Sequence, residues 1–166
     1  MLVLGVDPGT ASTGYGLVRG DRSAMEAVGF GTVRTPPGAA LPERLLHIYR
    51  ELSALIQEHR PDLVAVEEVF FNRNVRSALS VGHARGVVLL AAADAGVRVA
   101  EYSPLAVKAA VAGYGRADKA QVQRMVAHLL ALTRLPRPDH VADALAVAVC
   151  CLCSRPLPAV RGEGGR

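Results

Sequence analysis

Apolar positions along this chain switch between two spacings, and each switch marks an element. Leu2-Val3-Leu4-Gly5-Val6 is almost unbroken apolar sequence rich in β-branched Val, which predicts a strand buried on both faces. Pro8-Gly9 breaks that run directly after Asp7, and Thr13 to Val18 resumes a strand pattern, so the opening reads as a hairpin with Asp7 at its rim. Met25 to Val33 predicts a third strand that completes a meander and stops at Pro36-Pro37-Gly38. From Leu41 to His59 the spacing becomes helical. Leu45, Ile48, Leu52 and Ile56 recur with charged residues between them, and His47 and His59 fall on or beside the polar side.

Leu63-Val64-Ala65-Val66 is a second buried-strand run, and it too ends in carboxylates, Glu67-Glu68. A meander, a helix and a further strand beside the first would bring Asp7 and Glu67 together at one sheet edge. Ser77 to Ala95 predicts a helix whose small residues Ala78, Gly82 and Gly86 would pack closely on the sheet or on a symmetry mate, with His83 and Arg85 on its polar face. Val97 to Tyr102 predicts a fifth strand, and Pro104 opens a helix carrying Lys108. After the turn Gly113-Tyr114-Gly115-Arg116, Asp118 is expected to cap a helix from Lys119 to Leu132, on which His128 reads as a packing residue. The last helix, His140 to Val149, is apolar all round from Val141 onward except at Asp143. Spacing of i to i+3 puts His140 and Asp143 on one face.

Composition narrows the class without changing this outline. Residues 1–153 are expected to form one domain and the Gly-, Pro- and Arg-rich tail 154–166 to be disordered. Apolar residues make up 51% of the chain with no Trp, so the core must be Val, Leu and Ala, as in helices packed on a sheet. No apolar run reaches the length of a membrane span and Met1 leads straight into a strand, so a cytoplasmic protein is expected. The net charge of +4, with cations gathered at Arg73/Arg76, Arg116 to Arg124 and Arg134/Arg137, suits a polyanionic partner. Cys150, Cys151 and Cys153 lack a second Cys or His group and read as reduced helix residues rather than metal ligands.

Asp7 alone is explained equally by a turn-capping side chain or by a metal or phosphate site. With Glu67, His140 and Asp143 added, the set is oxygen-rich with an open face, which suits magnesium and, through the imidazole, manganese. Two such ions about 4 Å apart would stabilise the attacking and leaving oxygens of a phosphodiester displacement. Without a cation the carboxylates would repel and hold their protons more tightly. The chain has no Ser-His-Asp pattern, no Walker loop and no GxGxxG after a strand. Between Val69 and Arg76, adjacent aromatics and two arginines match what stacking on unpaired bases and holding phosphates requires. Phe70 is expected to face the substrate, while one of the two aromatics would plug the core or staple the following helix. Lys108 and Lys119, each taken alone, read as solvated surface.

Taken in order, Asp7-Pro8-Gly9-Thr10 with Thr13-Gly14-Tyr15-Gly16, Ala65-Val66-Glu67-Glu68-Val69-Phe70, Ser77-Ala78-Leu79, Ala84-Arg85-Gly86, Val107-Lys108, Lys119-Ala120-Gln121-Val122-Gln123 and Ala142-Asp143-Ala144-Leu145-Ala146 closely resemble the RuvC Holliday-junction resolvases. The resemblance runs from about Leu2 to Val149. It implies an α/β, ribonuclease-H-like fold with a five-stranded mixed sheet flanked by helices, working as a homodimer. Each subunit would nick one of two opposed strands of a four-way DNA junction, in recombination and repair, beside the RuvA–RuvB branch-migration complex. Asp7, Glu67 and Asp143 would be catalytic metal-binding carboxylates using two Mg²⁺ (or Mn²⁺) ions. Phe70, Arg73, Arg76, Lys108, Arg116 and Lys119 would contact the DNA.

One departure stands out. Where the family commonly has Asp three residues before the last catalytic Asp, this chain has His140, preceded by Asp139. Registration makes His140 the fourth catalytic and metal-site residue, as a ligand or a proton-transfer group. Three other readings compete: a YqgF-like nuclease acting on another structured nucleic acid, an actin-like kinase or ATPase, and a junction-binding protein without catalysis. The aromatic-basic loop speaks against the first, the absence of room for a second lobe against the second, and Glu67, His140 and Asp143 against the third.

Overall fold

The computed structural model of the chain describes residues 1–68 and 75–154, and of residues 75–77 the backbone only. Strands β1 (Leu2–Asp7), β2 (Ser12–Gly20) and β3 (Met25–Arg34) form the meander, and helix α1 (Leu41–His59) follows. Then come β4 (Leu63–Glu67), α2 (Val75–Asp94), β5 (Arg98–Tyr102), α3 (Pro104–Ala112), α4 (Lys119–Leu129) and α5 (Asp139–Cys153). The sheet order is β3-β2-β1-β4-β5. The meander is antiparallel, whereas β4 joins β1 and β5 joins β4 in parallel.

Both faces of the central strands are covered, which is why they carry no polar alternation. Leu4, Val6, Val64 and Val66 pack against Ile48, Leu52 and Ile56 of α1 and Val88 of α2. On the other face Val3, Val18 and Ala65 meet α3, α4 and α5, with α5 buried from Val141 to Leu152 except at Asp143. The local signals hold at the helix starts. Ser103 accepts from the Ala106 amide ahead of Pro104, and Asp118 and Gln121 form a reciprocal capping box at α4. Cys150 and Cys151 are buried free thiols on α5, and Cys153 is a half-buried one. Among the described residues, no helix is long and apolar enough to cross a membrane.

Glycines in β1 and β2 let α5 lie unusually close. A Cβ at Gly5 would fall 2.0 Å from the Ala144 carbonyl oxygen, and one at Gly14 would fall 2.1 Å from that of His140. Backbone cannot yield at such distances, so only Gly is compatible with this seating of the helix.

Three expectations are corrected and a fourth is narrowed. Helix α4 ends at Leu129, three residues before Leu132, because Ala131 takes φ +49° and turns the chain away. His128 is exposed and packs no core. Of the two alternatives for the small-residue stripe on α2, the sheet is excluded: among the described residues a Cβ at Gly82 or Gly86 meets nothing within 4 Å, and the packed face is Ala84, Val88, Ala91 and Ala92. Arg85 is not a solvated polar-face residue but forms an ion pair with Glu101 of β5, with its side chain 23% exposed. The expectations for Phe70, Phe71, Arg73 and the tail after Ser154 lie outside the described residues, as does the side chain of Arg76.

Candidate active site

The parallel pairing of β1 and β4 sets Val6 against Val66, so the next residues, Asp7 and Glu67, leave neighbouring strands at the same level. Asp7 is paired on its other side with Gly14 of β2, the residue over which the first turn of α5 sits. That contact brings His140 to Asp7. Nδ1 of His140 lies 2.6 Å from Oδ2 of Asp7, and with Asp7 ionised the ring must carry its proton on Nδ1, leaving Nε2 open. One turn on, Asp143 stands beside both strand-end carboxylates.

The loop after Asp7 is braced rather than loose. The buried Thr13 hydroxyl donates to the Gly9 carbonyl at 2.9 Å, and the Thr35 hydroxyl donates to that of Thr10 at 2.9 Å. Thr10 and Ser80 share a hydroxyl contact of 2.6 Å that ties the loop to α2.

Electrostatics at the site are short of positive charge. Burial, then Asp143 and Asp7, push the Glu67 carboxyl up to about 7, against a smaller opposing pull from Lys108 and Lys119. Asp7 is also raised, by burial first, although its hydrogen bond from His140 works the other way. Lys119 supplies the nearest ammonium: its Nζ is 3.1 Å from Asp143 Oδ2 and 3.3 Å from Asp139 Oδ2. Burial lowers the Lys119 pKa, but the bonds to Asp143 and Asp139 outweigh it and leave the group raised.

Two recesses flank these groups. A pocket of about 220 Å³ is lined by Glu67, Lys108, Lys119 and Asp143 together with Val107 and Val122. A more open groove of about 650 Å³ runs past His140 on the other side, between Arg34, Arg137 and Asp139. The structure therefore brings Asp7, Glu67, His140, Asp143, Lys108 and Lys119 together. Arg116 is exposed on the connection between α3 and α4. Sequence reasoning missed Arg34, whose only signal is a cation ending a strand, and the glycine floor, whose signal is Gly14 and Gly16 alternating on one strand face. It also missed the partner of Asp139.

Among the described residues, no three His, Cys, Asp or Glu side chains converge so as to hold one metal ion as they stand. The nearest donors are engaged with one another, Asp7 with His140 and Asp143 with Lys119. The donor set nevertheless fits a hard divalent cation, because three carboxylates and an imidazole meet where burial and mutual repulsion oppose ionisation.

A five-stranded mixed sheet with acids at the ends of β1 and β4 and on the covering helix α5 is a ribonuclease-H-like nuclease fold. The sequence model of "Crossover junction endodeoxyribonuclease RuvC" matches residues 3–151. The chain belongs to that family: it is a Holliday-junction-resolving endodeoxyribonuclease. The RuvC protein of Syntrophomonas wolfei is 57% identical over 154 residues, covering 93% of this chain and 90% of its own length. The structure of T. thermophilus RuvC in complex with Holliday junction substrate superimposes with a TM-score of 0.86 at 42% identity, covering 90% of this chain and 92% of that one. The yeast mitochondrial Holliday junction resolvase shares the fold at a TM-score of 0.65 and 13% identity, covering 90% of this chain and 77% of that chain.

Proposed function

We propose that residues 1–153 form one nuclease domain that acts as a homodimer in the cytoplasm, each subunit nicking one of two opposed strands of a four-way DNA junction. Asp7, Glu67, His140 and Asp143 would hold two divalent cations, Mg²⁺ or Mn²⁺. When bound, the cations would supply positive charge where the phosphodiester gathers negative charge during displacement. The single observation that carries this reading is the level placement of Asp7 and Glu67 by the Val6 and Val66 register, with α5 delivering His140 and Asp143 over them.

The remaining roles fall to groups around that cluster. Lys108 and Lys119 line the pocket on one side and Arg34 and Arg137 the groove on the other, so a phosphate backbone crossing the carboxylates meets cations before and after them. Arg116 extends the basic side, and Phe70, Arg73 and Arg76 would engage the unpaired centre of the junction. His140 holds Asp7 through Nδ1 and keeps Nε2 available for a proton or a ligand bond.

Cutting two strands in concert requires two sites in fixed relation. The exposed face of α2 offers a means: Leu79 and Leu90 are 59% and 58% exposed, and none of the described residues covers Gly82 or Gly86 between them. Small residues flanked by leucines permit close approach of a second copy of the helix. The RuvA–RuvB branch-migration complex would deliver the junction.

Synthetic four-way junctions test the reading. With Mg²⁺ or Mn²⁺ the chain should nick them in symmetry-related pairs, and Asp7→Asn should abolish cleavage while preserving junction binding. Equal cutting of linear duplex and junction would overturn it.

A further inference from the structure

Asp139 has no part in the carboxylate cluster, yet it is the first residue of the helix that builds it. Its side chain shares one bonding partner with the cluster. Lys119 Nζ sits 3.1 Å from Asp143 Oδ2 and 3.3 Å from Asp139 Oδ2, so a single ammonium is held between carboxylates at i and i+4 of α5. The base of the lysine is fixed, because Lys119 directly follows Asp118 and its capping box, while its side chain is 57% exposed, which leaves room for rotation about its stem. The two seats differ in character. Asp143 is 32% exposed and faces Asp7 and Glu67, whereas Asp139 is 65% exposed and faces the groove lined by Arg34 and Arg137.

We propose that Asp139 is the alternate seat of the Lys119 ammonium, which guards Asp143 in the cation-free chain and withdraws to Asp139 when a divalent cation takes Asp143. Asp139 is thus a positioning residue acting through Lys119, and the inference rests on the reading of the cluster as a cation site. The physical case is one of competition. A divalent cation arriving at Asp143 must displace an ammonium already bonded there, and the cost of that displacement falls if the ammonium keeps a second carboxylate. Because both seats lie within 3.3 Å of the same atom, the exchange needs rotation about the lysine stem and no backbone movement. It also retains a positive charge at the rim of the groove instead of losing it to solvent.

The arrangement makes opposite demands on the two residues. Removing Lys119 deletes the competitor, and removing Asp139 deletes its refuge. Equilibrium binding of Mn²⁺ to the full chain without DNA, followed through the electron paramagnetic resonance signal of the free ion, reads both. Lys119→Met should tighten Mn²⁺ binding, and Asp139→Asn should weaken it by about two- to fivefold, the range that exposed ion pairs support. Asp139→Glu should restore wild-type affinity. In the Lys119→Met background Asp139→Asn should lose most of its effect, since no ammonium remains to be seated. If Asp139→Asn weakened binding equally in both backgrounds, Asp139 would act only as a nearby negative charge and the seat would be excluded. Failure of the wild-type chain to bind Mn²⁺ would overturn the reading of the cluster itself, and this inference with it.

Discussion

Asp7 at the end of β1 and His140 in the first turn of α5 are 133 positions apart in sequence and meet with Nδ1 2.6 Å from Oδ2. The imidazole therefore takes the place at Asp7 that a carboxylate could not take without repulsion. Two acids side by side oppose each other's ionisation, whereas a ring N–H stabilises it.

This relationship sets an expectation for metal choice. An imidazole favours softer divalent ions than a carboxylate does, so His140→Asp should raise the ratio of Mg²⁺-supported to Mn²⁺-supported junction cleavage, by about tenfold if the ring is a ligand. Nicking rates measured with each metal at saturating junction decide it. Unchanged rates and an unchanged ratio would make His140 a bystander.

Gly14 is expected to be indispensable for geometry. A Cβ there would lie 2.1 Å from the His140 carbonyl oxygen, so Gly14→Ala must push the start of α5 off the sheet. Overpacking of this kind costs about 1–3 kcal/mol. A displacement of the order of 1 Å at a catalytic constellation costs about 100-fold in rate. Denaturant unfolding should show a modest loss and the cleavage assay a far larger one. A variant that folds and cuts normally would refute the close seating of α5.

Glu67 predicts how the cation-free chain responds to pH. Its carboxyl is pushed up to about 7 by burial and by Asp143 and Asp7, from an ordinary value of 4.5. Below pH 4.5 folded and unfolded chains both hold the proton, and stability from this group is fully present. Between 4.5 and about 7 the unfolded chain releases the proton that the folded one keeps, so raising pH destabilises the fold, and above that range the loss is complete. The raised Asp7 acts in the same direction. In chelator, the melting temperature should therefore fall from pH 5 to pH 8, and Glu67→Gln should flatten the fall. A melting temperature that rises with pH over this window would contradict the charge-poor site.

The strands, the helices and the acid set were legible because each rests on a local rule. Continuous apolar runs mark strands covered on both faces, and a carboxylate at the end of such a run has no packing role. What stayed hidden depends on distance in the fold. His128 was read as packing from its apolar neighbours, but α4 turns Val122, Val126 and Leu130 to the core, which puts His128 on the face in solvent. Arg85 sits where a polar face is expected, but Glu101 on another element draws it inward. The stripe at Gly82 and Gly86 was visible as small residues, and the pattern alone did not decide whether the sheet or a second copy lay opposite.

That stripe gives a test of assembly. Leu79→Glu with Leu90→Glu places two charges on the exposed face of α2 at positions that make no core contact, so the monomer fold should survive. Sedimentation equilibrium should show a shift from dimer to monomer, and junctions should accumulate single nicks in place of paired ones. Paired nicking by a variant that sediments as a monomer would remove α2 from the interface.

Arg34 and Arg137 stand where the groove leaves His140, and their role separates from chemistry through salt dependence. A phosphate contact contributes counterion release, so Arg34→Ala and Arg137→Ala should each reduce the slope of log binding constant against log salt by about 1, with similar losses on every junction sequence. Cleavage at saturating junction should change little, because among the described residues neither arginine is ion-paired with Asp7, Glu67 or Asp143. Arg98 is the control, exposed at the start of β5 and hence at the opposite end of the parallel strands from Glu67. Arg98→Ala removes the same charge from the chain, so an equal drop in slope would mean that net charge alone draws the DNA. A drop confined to Arg34 and Arg137 would instead fix the path of the cut strand across Asp7 and Asp143.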